Sequence, residues 1–145
     1  MRTLLDVNVL VALLDPEHSF HERAHAAWRE ILESGGWSSC PITQNGVLRI
    51  LSNERYPGAS SISKAAVFSN LAELIENSNH VFWPDEISLL DNSRFNPDAI
   101  IGHRQLTDIY LLGLAMQNDG RFATFDRRIP PNAIVDSSKA YLWII

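Results

Sequence analysis

Four polar side chains stand where an apolar run of this sequence gives way to a helix or a turn: Asp6, Gln44, Asp108 and Asp126. Three of them are carboxylates. Carboxylates brought together repel, so their pKa values separate unless a cation neutralises them. Mg²⁺ and Mn²⁺ suit such a place, because hard cations take oxygen ligands and keep several waters. One or two such ions activate water and stabilise the charge that builds on a phosphodiester during hydrolysis. The chemistry is that of metal-assisted phosphodiester cleavage, provided the fold brings the acids to one place.

The elements that must do so are legible in order. Thr3 to Asp15 begins as a short apolar run, which suits a buried strand. Asp6 and Asn8 follow, residues that favour turns and helix N-caps, and Val9, Leu10, Leu13 and Leu14 continue at helical spacing. Phe20 to Ser34 reads as an amphipathic helix with Phe20, Ala24, Ala27, Trp28, Ile31 and Leu32 on one face, ended by Gly35-Gly36. Trp37 to Cys40 suits a second strand, and Ile42 to Leu51 a helix with Thr43 as its cap. Asn53 to Ser63, with Pro57, Gly58 and its serines, reads mainly as loop. A helix from Ser63 to Glu76 has core positions Val67, Leu71, Leu74 and Ile75, and His80 to Trp83 is a third strand. Between Asp85 and Gly102 the pattern suggests a short helix around Ile87 to Asp91, then loop. Thr107 to Asn118 is the clearest helix, capped by Thr107, with Ile109, Leu112, Ala115 and Met116 marking one face. Arg121 to Phe125 is a fourth strand, Pro130-Pro131 a break, and Tyr141 to Ile144 a terminal strand.

Strands alternating with helices predict an α/β fold: one domain over residues 1–145, with a mostly parallel sheet flanked by helices on both faces. In such a sheet the carboxyl ends of strands and the amino ends of the following helices share one edge, where ligands bind. That edge would hold Asp6, Gln44, Asp108 and Asp126 together.

Composition bounds the function. The chain has 145 residues, 46% of them hydrophobic, which suits one globular domain with a real core. No signal peptide is evident and no apolar run approaches the ~20 residues of a membrane span, so a cytoplasmic protein is expected. A single cysteine, Cys40, excludes an internal disulfide and reads as a small buried residue. The net charge of −5 excludes nucleic-acid binding by bulk electrostatics. Of the 12 basic residues only Lys64 and Lys139 are lysines; the rest are arginines, which suit bidentate phosphate contacts. Arg104, beside His103, and Arg127, with Arg128 beside Asp126, are the candidate phosphate contacts. Trp28, Trp37, Trp83 and Trp143 read as core or subunit contacts rather than base-stacking platforms.

The pieces Leu5-Asp6-Val7-Asn8, Cys40 through Arg49, Gln105-Leu106-Thr107-Asp108-Ile109-Tyr110-Leu111 and Ala123-Thr124-Phe125-Asp126 together resemble the PIN-domain ribonucleases, specifically the VapC toxins of bacterial toxin–antitoxin pairs. The resemblance implies a parallel-sheet α/β/α fold, a homodimer, Mg²⁺ or Mn²⁺ as cofactor, endonucleolytic cleavage of RNA, and a small cognate antitoxin. It places Asp6, Asp108 and Asp126 on the family's acidic, metal-holding positions. Thr124 falls on a hydroxyl position that supports the metal site, and Asn8 on a polar position behind it. One departure stands out: many PIN enzymes carry glutamate where this chain has Gln44, which brings an amide oxygen but no charge. A catalytically weak PIN fold that binds RNA or an antitoxin is therefore the alternative reading.

A competing motif is His21-Glu22-Arg23-Ala24-His25, which matches the H-E-x-x-H zinc-protease signature. Its histidines would share a helix face. Trp28 stands where the extended metzincin motif needs glycine, and no third ligand is evident downstream. A phosphatase with an aspartyl nucleophile at Asp6 lacks its usual Asp-x-Asp start, since position 8 is Asn8.

Overall fold

The computed structural model describes residues 1–58, 62–137 and 139–145. Its frame is a five-stranded sheet in the order β3-β2-β1-β4-β5, every pair parallel. The strands are β1 (Thr3–Leu5), β2 (Trp37–Ser39), β3 (His80–Phe82), β4 (Arg121–Thr124) and β5 (Leu142–Ile144). The helices are α1 (Val7–Leu14), α2 (His21–Ser34), α3 (Pro41–Leu51), α4 (Lys64–Glu76) and α5 (Leu106–Gln117). β1 is central and wholly buried, as parallel strands covered on both faces must be. Its register, Thr3 on Trp37 and Leu5 on Ala123, fixes what lies beside Asp6.

Alternation along the strands divides the core in two. Leu5, Trp37 and Ala123 pack with α1, α2 and Val47 of α3 on one face. Leu4 and Phe122 pack with α5, Trp83 and Phe95 on the other. α1 and α3 cross closely at Gly46, where an added Cβ would lie 2.6 Å from a Val7 methyl. A side chain there would push α3 off α1, and with it the start of the helix that follows Asp6.

Several local expectations need correcting. Thr43 is not the N-cap of α3. Cys40 is, and buried Thr43 reaches back from the first turn, its Oγ1 accepting from the Cys40 amide at 2.9 Å, a capping box. Thr107 does not cap α5, whose N-cap residue is Gln105. No helix forms around Ile87 to Asp91; the segment is irregular there, and short 3₁₀ turns occur later, at Pro97–Ala99 and His103–Gln105. α5 is not one-faced: Ile109 through Ala115 are all buried, because the segment 84–101 lies over its outer side with Phe95 against Gly113. Phe20 and Leu32 are 38% exposed rather than core. The loop reading at residues 59–61 lies outside the described residues. No helix among the described residues is long and apolar enough to cross a membrane.

Candidate active site

Asp6 leaves β1 and caps α1, with only 5% of its surface exposed. One strand over, buried Thr124 donates its hydroxyl to Asp6 Oδ2 at 2.7 Å. The same Thr124 oxygen accepts from the Asp126 amide at 3.0 Å, so one side chain ties both aspartates to the end of β4. Burial pushes the Asp6 carboxyl above its ordinary pKa, offset in part by Thr124 and by the amides of Val7 and Asn8. Asn8 itself is exposed on the first turn of α1.

Asp108 sits in the first turn of α5. Its pKa is pushed up to about 7, first by burial and then by the negative charges of Asp6 and Asp126. The three aspartates thus face one another closely enough to feel each other's charge. Asp126 behaves differently: the Arg128 amide and Nε donate to its Oδ1 at 2.8 and 3.0 Å, and Nη2 to its Oδ2 at 2.8 Å. That clamp holds its carboxyl below the usual range. Arg127 is exposed, and the cation engaged with the acids is its neighbour.

The structure does not turn Gln44 toward the acids. Its Nε2 donates to Ser39 Oγ at 2.9 Å, and the same oxygen lies 2.8 Å from His80 Nε2. Trp37 lies against the His80 ring, with centroids 4.4 Å apart. Ser39 has no exposed surface, and burial together with Arg2 lowers the His80 pKa. An amide donates here where a glutamate could only accept. Sequence reasoning finds neither this network nor the Arg128 clamp. The Arg128 clamp has a local signal, Asp and Arg two residues apart; the Ser39–His80 pairing joins separate strands and has none.

Among the described residues, no three His, Cys, Asp or Glu side chains are already close enough to hold one metal ion. Both oxygens of Asp126 are on Arg128. The donors still fit a hard divalent cation in kind. They are oxygen ligands, and Asp108, raised first by burial, is raised further by the charges of Asp6 and Asp126.

The histidines of the H-E-x-x-H stretch are used otherwise. His21 Nδ1 lies 2.7 Å from the Ala12 carbonyl and His25 Nε2 3.3 Å from the Leu13 carbonyl. Those carbonyls end α1 and have no partner within the helix. The imidazoles cap α1, and no zinc chemistry is assigned to them.

The PIN domain family model matches residues 3–133. Among curated proteins the chain is similar to Ribonuclease VapC44 of Mycobacterium tuberculosis, at 46% identity over 98% of both chains. It is 39% identical to Ribonuclease VapC39 of the same organism, covering 98% of this chain and 97% of the other. Among solved structures it resembles VapBC2 from Rickettsia felis bound to a promoter DNA fragment, with TM-score 0.59 over 88% of this chain and 90% of the other. At 11% identity that likeness is one of fold.

Proposed function

The chain belongs to the PIN-domain family, and from that premise we propose that it is the toxin of a type II toxin–antitoxin pair, a divalent-metal-dependent endoribonuclease. The observation that carries the reading is the pKa of Asp108, pushed up to about 7 first by burial and then by the charges of Asp6 and Asp126 beside it. Its relatives are named as ribonucleases over nearly the same length.

In this reading Asp6, Asp108 and Asp126 hold Mg²⁺ or Mn²⁺. A bound divalent ion supplies Lewis-acid chemistry toward a phosphodiester and lowers the pKa of water. Thr124 keeps Asp6 oriented through its 2.7 Å hydrogen bond. Asp126 takes part by turning from Arg128. Asp108, with its pKa pushed up to about 7, must lose its proton before it can serve. Asn8 borders the site at the start of α1, and Gln44 stands beside it, anchored on Ser39.

The antitoxin and a second copy of the chain belong to the same proposal. The groove where α1, α2 and α4 meet, with Leu14, Trp28, Leu32 and Leu74 beside Asn70, Glu73 and Asn77 in its walls, suits an amphipathic stretch of antitoxin. A basic side chain of that partner would then reach the acids.

The test is incubation of total RNA with the purified protein, with and without Mg²⁺, and mapping of new ends. Metal-dependent internal cuts that disappear in Asp108→Asn support the reading. RNA that binds but stays whole would leave the weak PIN fold, binding RNA or antitoxin without cutting.

A further inference from the structure

Next to Asp6 and Asp108, with Asp126 in its wall, lies a pocket of about 220 Å³. One wall is the turn that leads into α5, with Gly102, His103, Arg104 and Gln105; the other is Asp126 and Arg128 after β4. Gln105 joins the walls, its Nε2 donating to the Arg128 carbonyl at 2.9 Å. Gln105 Oε1 is buried there without a hydrogen-bond partner. Arg104, Arg128 and His103 thus line one pocket together with Asp126, in a chain whose net charge is −5.

We propose that this pocket seats a phosphodiester of the RNA strand adjacent to the one being cut, with Arg104 and Arg128 as its counter-cations. The proposal rests on the nuclease reading and deepens it. The planar fork of an arginine fits a carboxylate and a phosphate in the same bidentate way. Arg128 now uses its fork on Asp126, yet its side chain is 83% exposed. The fork is bidentate on a carboxylate only 26% exposed, so Arg128 passes to a phosphate when a cation takes Asp126 over. When Asp126 turns to a cation shared with Asp6 and Asp108, Arg128 is freed beside the metal, on the side where Arg104 already stands. An acidic protein needs this arrangement: repulsion from the chain as a whole is overcome by cations at the point of contact.

The test reads binding, separately from cutting. The probe is a short single-stranded oligonucleotide with 2′-O-methyl sugars, titrated in Mg²⁺ at several salt concentrations against wild type, Arg104→Gln, Arg128→Gln, Arg104→Lys, Arg128→Lys and Lys64→Gln. Removing one cation that neutralises a phosphate of a single strand lowers the slope of log K against log salt by about 0.7. Arg104→Gln and Arg128→Gln are each expected to show that drop. The two lysine variants retain the slope with weaker binding, and Lys64→Gln, on α4, matches wild type. A methylphosphonate at the linkage bound in the pocket should weaken wild type and leave Arg104→Gln unaffected. Unchanged slopes in both glutamine variants, with melting temperatures like wild type, overturn the proposal. So does displacement by polyglutamate as effective as by RNA, which would mark the pocket as a seat for an acidic protein segment. Failure of the nuclease reading would show elsewhere, as Asp108→Asn protein that still cuts.

Discussion

Thr124 and Asp6 lie 118 residues apart in sequence and 2.7 Å apart in space, joined by a buried hydroxyl-to-carboxylate hydrogen bond. The bond fixes the aspartate that its own strand could not orient, because β1 ends one residue before it. Thr124→Val keeps the shape, removes the donor and leaves a buried carboxylate short of a partner, a cost of about 1–3 kcal/mol. Cleavage should fall at least tenfold and need more Mg²⁺, while Thr124→Ser retains most activity. Wild-type kinetics in Thr124→Val would remove the hydroxyl from the mechanism.

The pKa of Asp108 predicts how stability varies with pH in the absence of metal. A carboxyl raised from 3.8 to about 7 binds more protons in the folded than in the unfolded state between those values. Stability therefore falls as pH rises from about 4 to about 7, and the penalty is fully present above that. Asp108→Asn removes it. Without metal at pH 8, Asp108→Asn should melt several degrees above wild type, and at pH 4 about level with it, while cutting no RNA. Excess Mg²⁺ should erase the difference by stabilising only the wild type. Equal melting at both pH values would mean that the acids do not press on one another.

Gln44→Glu tests the anchored amide. A glutamate cannot donate to Ser39, so the hydrogen bond to Ser39 must reverse or release the side chain toward the metal-holding acids. A carboxylate released there should lower the half-saturating Mg²⁺ concentration by up to about tenfold, equivalent to ~1.4 kcal/mol. An unchanged Mg²⁺ titration would take position 44 out of the site.

His21→Ala and His25→Ala each leave an α1 carbonyl without its capping partner. A decrease of about 1 kcal/mol in unfolding free energy is expected for His21→Ala, and less for the longer His25 hydrogen bond. RNA cleavage by the folded fraction should stay at the wild-type rate, and metal analysis of purified protein should find no stoichiometric zinc. One zinc per chain, removed with these histidines, would restore the protease motif as a working site.

The fold was legible wherever one residue's type decided a local outcome. Apolar runs marked β1 and β4, and Gly35 stopped α2. Asp6, Asp108 and Asp126 were expected on one edge, since strand ends and helix starts of a parallel sheet share it, and the family resemblance pointed to the same three. The features that sequence does not reveal depend on distant segments meeting. Thr107 has the right chemistry for a cap, but the preceding 3₁₀ turn starts the helix earlier. The burial of α5 on all sides depends on Phe95, whose ring fits against Gly113 only because that helix position has no side chain. Gln44 looked like a weakened glutamate because Ser39, which accepts from its amide, stands five residues before it, and His80, which shares that Ser39 oxygen, stands on another strand.

The strand order also sets a birth order. β1 leaves the ribosome first but lies between β2 and β4, and the last strand of the sheet is β5. Proteins are synthesised amino end first, and domains fold as units. Asp6 is made 102 residues before Asp108, and Thr124 and Asp126 come later still. A half-made chain cannot assemble the acids or the hydroxyl that orients the first of them. In the proposed nuclease this delay keeps an unfinished copy from cutting the message that encodes it.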